Sequence, residues 1–253
     1  MKEFKDPMWE GIYKDFSEAL KQGKGFEGST WLIRSLEQAQ LDVHNYKEYG
    51  TIPPIHRRHC SLAMLIASAY SSESGLRILD FGGGMGLMYL MAFHETSRAV
   101  DYLVIENSEI CQAARKLFEY DPQIRFRSQI PVNCELDILY VNSVLQYIDE
   151  WEALIAELCE LSPEYILFDD LYAGDIPNFI SVQKYYESLI PHRFYNVGDF
   201  IQEVEKNNYQ LQLKHKHTSP ILGKSTTLPL ANFPNEFQLD YACTLLFKRN
   251  PPK

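Results

Sequence analysis

From residue 76 to residue 171 the chain alternates short, apolar, β-branched runs with longer stretches in which apolar positions return every three or four residues. The runs Arg77–Phe81, Tyr102–Glu106, Ile124–Arg127, Ile138–Asn142 and Tyr165–Asp169 predict strands. Met85–Phe93, Glu109–Glu119 and Trp151–Leu161 predict the helices between them. Ile138–Val141 and Ile166–Phe168 are apolar on both faces, as suits buried strands of a parallel sheet. Strand–helix alternation at this spacing predicts an α/β fold with helices on both sides of the sheet.

The flanks follow other patterns. Residues 1–75 read as an N-terminal helical cap, with helices at Asp15–Lys21, Ser29–Asn45 and Ile55–Tyr70. The Gly-rich KQGKGFEGS and the stiff turn GTIPP separate them. Ser29 suits an N-cap, and Trp31, Leu32, Ile33 and Leu36 form a stripe behind it. No low-complexity linker divides this cap from the domain expected over residues 76–253. In the tail, helices are expected at Ile180–Ile190 and Val197–Lys206. The strands Gln210–His217 and Tyr241–Lys248 then predict an antiparallel hairpin at the sheet edge.

Composition narrows the class further. Of 253 residues, 45 % are apolar and 23 % charged, which excludes disorder, collagen and coiled-coil arrays. The net charge is −10, and residues 100–170 hold four basic against fifteen acidic side chains, arguing against nucleic acid as a partner. Five cysteines without a C-x-x-C pair signal neither a disulfide framework nor a zinc site. The opening MKEFKDPMWE lacks a signal-peptide core, and the longest apolar run, Leu62–Ala69, is far short of the ~18 residues of a membrane helix. A cytoplasmic protein without membrane insertion is expected, its oligomeric state open.

The chemistry gathers at Asp80-Phe81-Gly82-Gly83-Gly84-Met85-Gly86, where the first strand of the alternating region ends. Glycines there allow a sharp turn and close approach of a ligand to backbone amides. A dinucleotide fingerprint needs G-x-G-x-x-G, but the sixth position is Leu87 counting from Gly82 and Tyr89 counting from Gly84. The pattern present is D-x-G-x-G-x-G, and its leading acid suits an ammonium group better than a pyrophosphate. Glu106 closes the next strand, where an acid can accept hydrogen bonds from both ribose hydroxyls of an adenosine. Together the two acids point to adenosine with a cationic amino-acid tail, which describes S-adenosylmethionine.

With these residues in place, the sequence resembles the class I S-adenosylmethionine-dependent methyltransferases. The DFGGGMG loop, Glu106 and the segment Asn142-Ser143-Val144-Leu145-Gln146-Tyr147 carry the resemblance. Narrower motifs, Trp9-Glu10-Gly11-Ile12-Tyr13 and Phe179-Ile180-Ser181-Val182-Gln183 among them, are similar to bacterial methyltransferases associated with surface-polysaccharide (capsule) gene clusters. The resemblance implies a Rossmann-like sheet of seven strands, mostly parallel with an antiparallel last strand, under an N-terminal lid. It implies that Asp80, Phe81, Gly82, Gly84 and Gly86 hold the methionine end of the cofactor and Glu106 the ribose. Asn107, Ser128 and Gln129 would lie near the adenine, and Asn142 and Ser143 between cofactor and acceptor. Gly83 is an unusually bare position that should not harm binding.

The implied activity is methyl transfer to a small polar acceptor, a sugar or sugar-linked hydroxyl being favoured, with S-adenosylhomocysteine as product. A phosphoramidate-type acceptor would suit Arg57, Arg58 or Arg193; Tyr172, Tyr185, Tyr186 and Tyr195 would suit a carbohydrate, though core and rim packing is the expected use of most of them. Asp169 and Asp170, ending the fifth strand, and His192, on a loop after the following helix, are the candidate general bases. The pairs His56/His59 and His215/His217 have metal-capable spacing but no third ligand nearby in sequence, so no metal is expected. An NAD-dependent oxidoreductase and a catalytically silent cofactor-binding module are the alternatives.

Overall fold

The computed structural model describes residues 7–50, 60–69, 75–96, 99–132, 134–185, 187–221, 224–225 and 227–251. Arg57, Arg58, His56, His59 and Tyr186 lie outside the described residues. The strands in chain order begin with β1 Trp9–Tyr13, β2 Leu76–Phe81, β3 Val100–Ile105, β4 Ile124–Arg127, β5 Ile138–Asn142 and β6 Tyr165–Leu171. They continue with β7 Ala173–Gly174, β8 Phe179–Tyr185, β9 Ser188–Asn196, β10 Tyr209–His217, β11 Pro220–Ile221, β12 Lys224–Ser225 and β13 Ala242–Arg249. The helices are α1 Ser29–Tyr49, α2 Cys60–Ala69, α3 Leu87–Thr96, α4 Ser108–Leu117, α5 Trp151–Glu160 and α6 Val197–Glu205.

Seven strands form the main sheet in the order β10-β13-β6-β5-β2-β3-β4. The five strands of the alternating region run parallel, and β13 inserts antiparallel between β6 and β10. The predicted late hairpin therefore exists, but its second strand lies inside the sheet and its first forms the edge. Alternation sorts the side chains. Ile78, Tyr102, Ile138, Tyr140 and Leu167 join α1, α2, α3 and α4 in one apolar cluster. Leu79, Leu139, Val141, Phe168 and Phe247 join α5 and α6 in another. Asp80 pairs across the sheet with Val104 and Tyr140, so it belongs to the first face.

A second sheet, β1-β8-β9-β7, packs beside the carboxyl ends of the parallel strands. Two expectations fail here. The helix expected over Ile180–Ile190 is the hairpin of β8 and β9, and His192 sits on β9 rather than on a loop. Ile180 and Val182 face a cluster with Ala19, while Phe179 faces one with Trp9 and Phe194. The segment alternates over Ile180-Ser181-Val182-Gln183, but both faces are buried, Ser181 and Gln183 included, so the pattern marks no solvent face. The helix expected at Asp15–Lys21 is a series of turns. Asp15 Oδ1 accepts from the amides of Ser17 and Glu18 and from the Ser17 hydroxyl, so the side chain organises a turn instead. The first residues of the cap supply β1, which pairs with β8 more than 160 residues later.

Candidate active site

The parallel strands end together, and the side chains at those ends form the site. Gly82 and Gly86 have left-handed backbone at φ 71° and 76°. A Cβ at Gly82 would run into Val144, and one at Gly86 into Ile124 and Phe126. Gly84, also left-handed, faces open space, so its backbone is the part of the loop a ligand can approach. A methyl group at Gly83 would overlap the Asp80 carboxylate; the bare glycine is what allows the acid to tuck beneath the loop. Phe81 is half-buried and packs toward the α5 and α6 side.

Asp80 is 1 % exposed. Its Oδ2 accepts from the Tyr102 hydroxyl at 2.8 Å, while its Oδ1 has no hydrogen-bond partner among the described residues. Burial pushes its pKa up to about 7, against the Tyr102 hydrogen bond and with help from the Glu106 charge. Glu106 is also raised by burial, partly offset by the amides of Asn107 and Gly84. The Asn107 side chain caps α4 through the amide of Ile110 at 3.0 Å. Asn107 and Ser108 line a cleft of about 330 Å³ with Lys24, Phe26 and Leu32 from the N-terminal segment. Ser128 and Gln129 are exposed and line a separate cleft of about 400 Å³ with Arg115 and Arg127.

Two further buried acceptors lack partners among the described residues, Asn142 Oδ1 at the end of β5 and Gln146 Oε1 in the turn after it. Asn142 shares the face of Asp80, two residues beyond its neighbour Tyr140. The Gln146 amide nitrogen donates to the Ser143 hydroxyl at 3.2 Å. Ser143 and Asp170 are non-glycine residues with φ of 55° and 49°, at the ends of adjacent strands. Each left-handed conformation stores about 1 to 3 kcal/mol of strain, and such residues cluster at functional edges.

Asp169 and Asp170 are brought together with His217, weighed in the sequence only as a metal ligand beside His215, and with Thr244 and Ser219, which the sequence did not single out. Asp169 Oδ1 lies 2.8 Å from His217 Nδ1 and accepts from the Thr244 hydroxyl. Asp170 Oδ1 lies 3.9 Å from His217 Nε2 and accepts from the Ser219 hydroxyl. Burial pulls the His217 pKa down, but the Asp169 hydrogen bond and both carboxylate charges outweigh it, leaving it above the ordinary histidine value. Burial raises the Asp170 pKa, against the His217 charge and hydrogen bonds from Ser219 and Ser143.

His192 stands apart from this pair. It is fully buried in a box of Trp9, Tyr147, Tyr172 and Phe194, with ring centroids 4.7 to 5.4 Å away. Neither ring nitrogen has a partner among the described residues, and burial drives the pKa down to about 3. The ring is neutral at physiological pH. Phe26 lies against Tyr147 and Tyr185, and the Tyr147 hydroxyl donates to Gln183 Oε1 at 2.9 Å. Arg193 donates to the Asp149 carbonyl and stacks over Phe16. Among the described residues no group of three His, Cys, Asp or Glu side chains could hold a metal ion, and no helix is long and apolar enough to cross a membrane.

Solved structures share this architecture at low sequence identity. Magnesium protoporphyrin IX methyltransferase from Synechocystis PCC 6803, solved with bound S-adenosylhomocysteine, is 14 % identical with a TM-score of 0.55. The match covers 89 % of this chain and 97 % of that one. An S-adenosylmethionine-dependent methyltransferase from Clostridium acetobutylicum ATCC 824 is 10 % identical with a TM-score of 0.52, over 85 % and 99 % of the two chains. A protein described as a pericyclic reaction enzyme is 11 % identical with a TM-score of 0.52, over 75 % of this chain and 47 % of that one. No family model and no curated protein matches the sequence. The chain thus has the Rossmann-like fold of class I methyltransferases, with the antiparallel strand in its sheet.

Proposed function

We propose that the chain is an S-adenosylmethionine-dependent methyltransferase acting on a small polar acceptor. One observation carries this reading: Asp80 Oδ1, Asn142 Oδ1 and Gln146 Oε1 are buried hydrogen-bond acceptors without partners among the described residues, and Gly84 in the loop after Asp80 faces open space. Buried acceptors left unpaired cost about 1 to 3 kcal/mol each, and an ammonium group brings three donors and no acceptor. The pyrophosphate of a dinucleotide brings only acceptors and negative charge. The amino-acid end of S-adenosylmethionine therefore fits this loop, and Glu106 stands at the strand end where ribose hydroxyls would be met. The cleft bounded by Phe26, Leu32 and Asn107 is large enough for part of the adenosine.

When bound, this cofactor supplies an activated methyl group on a sulfonium. The protein's own residues bind, orient and exclude water. Asp80 neutralises the ammonium, Gly84 admits it, and Asn142 and Ser143 separate the cofactor from the acceptor side. Tyr147, Tyr172 and the β8–β9 hairpin wall the acceptor side against water. Orienting a nucleophile in this way can contribute roughly 7 to 11 kcal/mol. Asp169, Asp170 and His192 stay the candidates for taking the acceptor's proton; burial of His192 without a partner among the described residues, which holds its pKa near 3 and makes it a weak base, supports the carboxylates. The favoured acceptor, a hydroxyl on a sugar or sugar-linked group in surface-polysaccharide biosynthesis, is supported by the sequence resemblance; Tyr172 and Tyr195 are buried in apolar clusters.

Calorimetric titration with S-adenosylmethionine, S-adenosylhomocysteine and NAD tests the reading. Micromolar binding of the first two, lost in Asp80→Ala, is the expected result. Binding of NAD alone would overturn it in favour of redox chemistry. Binding of the first two without product formation across a panel of nucleotide sugars and simple alcohols would point to another acceptor class or a silent module.

A further inference from the structure

We propose that His217 is a positioning residue: clamped between Asp169 and Asp170, it presents Asp170 to the acceptor as the group that takes up its proton. The proposal rests on the methyl-transfer reading of the site.

Successive residues of a strand point to opposite faces, so Asp169 and Asp170 should not meet one side chain. The left-handed backbone at Asp170 breaks the alternation, and both carboxylates reach the same imidazole from its two nitrogens. The two are not equivalent. The Asp169 side chain is fully buried and also holds Thr244, whereas Asp170 keeps a tenth of its side chain exposed at the strand end. A carboxylate only accepts, so the 2.8 Å contact places the Nδ1 proton toward Asp169 and leaves Nε2 facing Asp170. The groups facing this pair are Tyr140 from β5, Tyr147 from the turn after it, Tyr172 after β6 and Cys243 on β13. All four are held neutral by burial, and Lys214 adds a positive charge that acts on Cys243. In the reaction an acceptor hydroxyl gives its proton to the Asp170 carboxylate as its oxygen bonds to the methyl carbon. The carbon–sulfur electron pair stays on the thioether product.

The test is histidine side-chain NMR on the full chain labelled with nitrogen-15, titrated from pH 5 to 9 with saturating S-adenosylmethionine or S-adenosylhomocysteine. His217 should show the Nδ1–H tautomer when neutral. Its midpoint should lie about one pH unit lower with the sulfonium than with the neutral thioether, the shift a unit charge produces at roughly 10 Å in an effective dielectric near 20. Asp170→Asn should lower the midpoint without either ligand, and His217→Asn should retain both ligands while changing the pH profile of turnover. An Nε2–H tautomer, or one midpoint with both ligands, overturns the proposal. Failure of either ligand to bind in calorimetry instead overturns the methyl-transfer reading beneath it.

Discussion

At the scale of single residues, Asp80 makes the sharpest claim. With a pKa near 7, it is largely protonated at pH 6 and ionised at pH 8. An ammonium group favours the ionised form, so binding below pH 7 must release a proton. Affinity for S-adenosylmethionine is therefore expected to rise by up to tenfold per pH unit from pH 5 to about 7 and then level off. Calorimetry in buffers of different ionisation enthalpy would read both the slope and the proton, and Asp80→Asn should flatten the curve. The same raised pKa works against the free protein, because the unfolded chain ionises near 3.8. Stability is lost as pH rises from about 4 to about 7 and regained when ligand binds. Gly83→Ala is expected to displace the carboxylate and weaken binding roughly 10- to 150-fold, equivalent to losing a hydrogen bond to a charged group. The D-x-G-x-G-x-G pattern made this part of the candidate site legible because its residues are contiguous. The meeting of His217 and Thr244 with Asp169 was not legible, because it forms only after three strands have aligned.

Elements with one solvent face or a regular interior were legible in the pattern, and the appended sheet was not. β4 and β5 match their predicted bounds, since each is a plain run between turn residues. β8 and β9 bury both faces, and β1 gains its meaning only from a partner more than 160 residues away. The box around His192, which takes Trp9 from β1 and Phe194 from β9, separates packing from chemistry. Burying an imidazole without hydrogen bonds is costly, so His192→Phe should hold or raise the melting temperature if the ring only fills space. Loss of turnover in that stable variant would give the ring a catalytic part. Trp9→Ala, which removes the side of the box contributed by β1, should cost about 3 to 5 kcal/mol by denaturant titration.

On the scale of the whole molecule, the ligand should act as a strut between segments. A ligand at a hundred times its dissociation constant adds about 2.7 kcal/mol, so S-adenosylhomocysteine is expected to raise the melting temperature by roughly 5 to 10 °C. NAD should leave it unchanged. The position of β13 also sets a timetable. It follows every other strand in the chain, yet it lies between β6 and β10 and supplies Thr244 to Asp169. On a ribosome releasing residues from the N-terminus, the glycine loop, Glu106 and their five parallel strands are all available while β10 still has no neighbour to join. On the methyl-transfer reading, the cofactor side of the site would thus be complete in sequence well before His217 and Thr244 reach Asp169.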